Sequence, residues 1–115
     1  MKLVIPRGTT FRAVIPLFYD DGSAYTYTSG DVMRFGVKPC DLSGELLITK
    51  ELSYDTDEGG FVLELAPADT EGLDIGVYLY DIGLESGSDY FIPIECDEFV
   101  VGRAVTQISS GGAQI

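Results

Sequence analysis

Nineteen carboxylates, seven tyrosines and two cysteines are the side chains of this 115-residue sequence with chemistry to offer, and histidine is absent. Without an imidazole, neither a Ser-His-Asp nor a Cys-His arrangement can be assembled within the chain. Two cysteines without histidine are too few for a structural zinc site. Paired carboxylates are left, and glycoside hydrolysis needs two at a fixed separation across a cleft, with aromatics to hold the sugar. Acids are so frequent here that no pair stands out by spacing. No residue constellation argues for an enzyme, and no cofactor is expected.

The acidic turns raise calcium next. In "DTDEGG", Asp55 and Asp57 have the spacing that opens an EF-hand loop. The fifth position is Gly59, however, and the place of the closing glutamate falls on Ala66, so a solvated turn is the better reading. "YDDGS" and "ECDE" are similar acidic patches. The tyrosines are a different kind of candidate. "AYTYT" places Tyr25 and Tyr27 among small polar residues in a loop. Such rings make a protein or sugar contact surface at low entropic cost. The plainer alternative is that one ring covers the end of the fold and the other is simply exposed.

Asp81 interrupts the apolar strand "GVYLYDIGLE" (76–85). Alternation sets it opposite Tyr78, Tyr80 and Ile82, on the outer face with Val77 and Leu79. Its expected role is structural, a register marker bonded to a backbone amide or paired with Arg34 or Arg12. Cys40 and Cys96 are expected as reduced, buried thiols, with a disulfide between neighbouring strands as the alternative.

The elements that must position these residues are strands. Apolar alternation recurs over 2–5, 10–18, 32–39, 46–53, 61–66, 76–85 and 90–101, divided by Gly, Asp and Ser turns such as Asp21-Gly22 and Ser29-Gly30-Asp31. Met33, Phe35 and Val37 share a face, as do Phe61, Leu63 and Leu65, and Tyr90, Ile92, Ile94 and Cys96. Leu46, Ile48 and Leu52 form a row that Lys50 breaks. Pro16 marks its strand as an edge. "PADTEGL" (67–73) reads as a single helical turn. About seven short strands predict an all-β fold, an antiparallel immunoglobulin-like β-sandwich over 1–107, with a flexible C-terminal tail at 108–115.

A net charge of −12, with only seven Lys and Arg, leaves no basic face for nucleic acid and disfavours anionic membranes. It suits solubility or docking onto a basic partner. No apolar run is long enough for a transmembrane helix, and "MKLVIPRGTTF" is too short in apolar residues for a signal peptide.

The order of features resembles the small N-terminal β-domain of phage baseplate upper proteins, found in tailed phages and prophages of Gram-positive bacteria. Arg7, Gly8, Thr10 and Phe11 match that family's opening. Asp69, Thr70, Leu73, Gly76, Tyr78, Tyr80, Asp81 and Ile82 match its later segment, and Val105 and Thr106 its end. The similarity spans roughly residues 5 to 107. Receptor-binding members continue into a stalk or second domain where this sequence reaches Ile115, and "FIPIECDEFVVG" is more acidic than the usual final hairpin. The resemblance implies a virion structural protein of the tail, baseplate or neck-fibre region. It would be made in the bacterial cytoplasm and act by self-association or by docking on other phage proteins. The first strand (2–5) and residues 103–115 are its candidates for exchange with a neighbour. The alternative is a module that presents "YDDGSAYTYTSGD" to a cell-surface glycan.

Overall fold

A computed structural model describes residues 1–104. Val105, Thr106 and the expected tail at 108–115 lie outside the described residues. Strands dominate, in the order β1 (Leu3–Pro6), β2 (Phe11–Ile15), β3 (Val32–Pro39), β4 (Ile48–Asp55) and β5 (Gly60–Leu65). A short helix α1 (Pro67–Glu71) follows, then β6 (Gly76–Ser86) and β7 (Asp89–Gly102). Strand accounts for 56% of the described residues and helix for 5%, which makes the fold all-β as the alternation predicts. No helix among the described residues is long and apolar enough to cross a membrane.

The strands form one mixed sheet, ordered β1-β7-β6-β3-β4-β5-β2. The expected antiparallel pairing holds everywhere except at β1, which runs parallel to β7 with Leu3 opposite Phe99 and Ile5 opposite Val101. Parallel neighbours cannot be joined by a tight turn. Here the crossover is the whole intervening chain. β4 serves two partners in succession: Ile48–Leu52 pairs with β3, and Ser53–Asp55 pairs with β5. The sheet's two outermost strands, β1 and β2, are consecutive in sequence, and the sheet curls nearly into a barrel. The link between them is tied down by α1, because the Gly8 amide donates to the buried hydroxyl of Thr70 at 2.8 Å. β2 is an edge strand, and Pro16 follows it directly, as a residue without an amide hydrogen should.

Alternation explains the core. Met33, Phe35 and Val37 of β3, Phe61, Leu63 and Leu65 of β5, and Tyr80, Ile82 and Leu84 of β6 all point inward. Ile5, Phe99 and Val101 complete one cluster. Phe35 lies 5.5 Å from Tyr80 and 5.9 Å from Phe99, ring centre to ring centre. Burying each such side chain contributes roughly 1.5–3 kcal/mol. Lys50 breaks the row on β4 because its ammonium reaches the Asp69 carboxylate at 2.9 Å. Asp69 also accepts the Ala66 amide at 2.7 Å, fixing the start of the expected helical turn, with Pro67 at its first position.

Two expectations about facing are corrected. Leu46 lies outside β4 and is half exposed, leaning over Gly36, where a Cβ would stand 2.9 Å from its side chain. The row Tyr90, Ile92, Ile94 and Cys96 does not face inward as a set. Only Ile94 packs against the core. The pairing of β6 with β7 slips twice, between Tyr80 and Ile82 and between Ile82 and Leu84, so the inward parity of β7 passes to Phe99 and Val101. Each bulge inserts a residue and reverses the faces beyond it. Pro93, which has no amide hydrogen to give the ladder, lies within the irregular stretch.

Candidate contact surface

The segment between β2 and β3 folds back on itself. Tyr25 donates its amide to Leu17 at 2.9 Å and Tyr19 donates to Ser23 at 2.8 Å, making a miniature hairpin over 17–25. Its tip is the expected Asp21-Gly22 turn, and Gly22 takes φ 88°, a conformation glycine adopts at little cost. The Asp21 carboxylate accepts the amide and hydroxyl of Ser23, at 2.8 and 2.6 Å. Those bonds hold its pKa below the usual carboxylate value.

Tyr25 and Tyr27 are placed differently. The half-buried Tyr25 ring packs against Phe61 and Tyr19, with centroids 5.9 and 6.0 Å away. Its hydroxyl donates to Asp31, and burial followed by that bond raises its pKa well above the ordinary value. Tyr27 stacks flat on Tyr54 at 4.7 Å, an interplanar angle of 6°, and remains 40% exposed. Asp31 is the joint of the region. It accepts from Tyr25 and, at 2.7 Å, from the hydroxyl of Ser86 at the end of β6. Both bonds favour the ionised form and lower its pKa. One carboxylate therefore fastens the loop to the β6–β7 hairpin.

Between these parts lies an open cleft of about 460 Å³. Phe18 and Tyr19 line it from the miniature hairpin, and Phe91 and Ile92 from β7, with the buried Leu84 and the half-buried Tyr25 between them. Phe18 is 65% and Phe91 53% exposed, unusual for phenylalanine. Asp20 and Asp31 add carboxylates, and among the described residues no Lys or Arg lines the cleft. Tyr25 thus belongs to this surface, while Tyr27 lies outside its lining.

The other candidates stand apart. Asp81 is exposed and faces Gly36 across the ladder. The arginine partners expected for it are taken elsewhere: Arg34 pairs with Glu85 at 3.1 Å and Arg12 with Glu58 at 3.0 Å. Water solvates the carboxylate, so its place in an apolar strand costs little. Cys40 and Cys96 are both free and both exposed, which corrects the expectation of buried thiols. Cys96 is turned outward in the bulged part of β7. The Asp55 carboxylate accepts the amides of Asp57 and Glu58, at 2.9 and 3.1 Å, so its side chain is spent on organising the turn.

Phe18, Phe91, Ile92 and Ser86 were the members of this surface that sequence reasoning missed, while Asp31 falls inside the "YDDGSAYTYTSGD" segment but was read only as part of a turn. An adjacent pair of large apolar residues in a Gly- and Asp-rich loop was the available signal for Phe18 and Tyr19. The chain matches no family model, no curated protein and no solved structure.

Proposed function

We propose that this protein is a non-enzymatic structural component of a phage or prophage virion, in the tail, baseplate or neck-fibre region. It works by protein–protein contact with further copies or with other phage proteins. The observation that carries the assembly role is the apolar cleft: Phe18, Tyr19, Phe91 and Ile92 gather exposed around one depression instead of being scattered. Grouped exposed apolar residues mark interaction sites. The virion assignment rests on the sequence resemblance from the Arg7-Gly8 opening to the Tyr78–Ile82 segment. As part of the same reading, the curled sheet is a variant of the immunoglobulin-like sandwich. Supporting this, the β1-β7-β6-β3 and β5-β2 portions send their apolar faces into one shared core.

Mass spectrometry of particles purified after prophage induction tests the virion role. Multi-copy peptides from the 60–85 region support it, and infectious particles lacking them overturn it. The glycan reading draws on Tyr19 and Tyr25 beside Asp20 and Asp31 in the cleft, a pairing of rings and carboxylates that suits sugar hydroxyls. Cell-wall binding that survives Tyr19→Ala, Tyr25→Ala and Tyr27→Ala removes that reading. Tyr19→Ala is the cleanest of the three, because Tyr27 is also needed against Tyr54.

A further inference from the structure

β7 is far longer than the strand beside it. β1 covers only Phe99–Gly102, and among the described residues no strand lies against the same side of β7 from Asp89 to Glu98. A second open depression, of about 450 Å³, follows that uncovered side and is lined by residues 92–97 and Met1. It shares Ile92 and Pro93 with the apolar cleft. The two depressions meet at those residues, and their joint lining, the groove, runs from Phe18 and Phe91 along β7 to Asp97. Seven residues of strand, Phe91 to Asp97, have the length of an extended peptide of similar size, at roughly 3.3 Å per residue.

The groove has a chemical direction. Its first half is apolar and aromatic, with Asp20 and Asp31 at its side. Its second half carries Glu95 and Asp97. Among the described residues no Lys or Arg lines either half; the Met1 ammonium is held by Asp97 at 2.6 Å, and Lys2 stands beyond the end of the groove, paired with Glu98 at 3.5 Å. A second copy of this chain would bring another −12 of charge to an already acidic surface. Like charges placed face to face suppress association.

We propose that this groove holds an extended, basic segment of a different polypeptide, with an apolar side chain seated between Phe18 and Phe91. The backbone of the segment bonds to the uncovered side of β7, as strand addition does elsewhere. The bulges break the register, so main-chain bonding is interrupted. The cleft and the carboxylates supply the rest of the recognition. An uncovered strand that is bulged, acidic and interrupted by proline is also guarded against indiscriminate pairing, which suits selection of one basic partner. The proposal rests on the assembly reading above and adds the partner's chemistry.

The test uses the full chain, isotope-labelled, titrated with a short peptide that alternates lysine with valine and one phenylalanine, and with its glutamate counterpart. Amide shifts at residues 17–31 and 91–97 with the lysine peptide alone, weakening as salt rises from ~0.05 to ~0.5 M, are the expected result. Asp20→Lys with Glu95→Lys lowers the affinity about tenfold, and Phe91→Ser abolishes it, each variant keeping its dispersed spectrum. Shifts confined to β2 or to the outer side of β1 overturn the proposal. So does equal binding of the glutamate peptide, a self-associated chain whose contact buries 91–97, or response of the same amides to cell-wall fragments and not to the peptide. Peptide binding by a protein absent from virions defeats the virion role alone. A virion component whose groove ignores the peptide defeats the proposal alone.

Discussion

Asp31 joins two segments that sequence keeps far apart, since its carboxylate is bonded by Tyr25 from its own loop and by Ser86 from β6. Its pKa is lowered, so the stabilisation is present above the unfolded value and is lost as pH falls through the folded one. Thermal stability should therefore be flat from neutral pH to about 4 and then decline, with Asp31→Asn lowering Tm at pH 7 and flattening the acid limb. A pH series of melting curves for both proteins checks this, and parallel acid limbs would contradict it. Exposed thiols make a second statement at this scale. Cys40 and Cys96 should both react with an aromatic disulfide reagent without denaturant, and a count of one or none would place a thiol inside the fold. Tyr25 was legible in the sequence because loop tyrosines are conspicuous. Its partners were not, because hydrogen bonds between remote segments leave no local pattern. The arginines assigned to Asp81 failed for the same reason, as charge alone does not say which carboxylate a neighbouring strand brings within reach.

At the scale of elements, period-two alternation made β3, β5 and β6 readable down to individual facings. It failed on β7, where two slips of register reversed faces that an unbroken strand would have kept. Bulges follow from how a strand meets its partner, and the partner is not visible in the strand's own residues. Glycines offer a sharper test of how closely elements approach. A Cβ on Gly60 would stand 2.7 Å from the backbone carbonyl oxygen of Ile15 on β2, which cannot move without disturbing the edge of the sheet. At Gly83 the obstacle is the phenol of Tyr90, an exposed side chain free to swing away. Gly60→Ala should cost about 1–3 kcal/mol in urea unfolding. Gly83→Ala should stay within about 0.5 kcal/mol of the parent. Equal effects would mean that β2 and β5 are less tightly apposed than the structure has them.

For the whole molecule, strand number and class could be read from turn spacing, whereas the order of strands could not. Nothing in "KLVI" announces that it will lie parallel to "FVVG" at the other end of the described chain. That pairing sets a schedule. During synthesis the first strand leaves the ribosome long before its neighbour exists, and Leu3 and Ile5 must wait for Phe99 and Val101 to be made. Closing so large a loop is paid before any contact rewards it, so folding belongs in the slow range of β proteins, roughly milliseconds to seconds. In stopped-flow refolding, Ile5→Ala should accelerate unfolding while leaving the folding rate nearly unchanged, the signature of a contact made after the rate-limiting step. A slowed folding rate would instead put the two ends of the chain together early. With late closure, a nascent or truncated chain that stops short of β7 exposes the faces of β3 and β6 that the last strand should seal. The cell then has an interval, set by translation, in which the exposed faces of this acidic domain must be kept from aggregating.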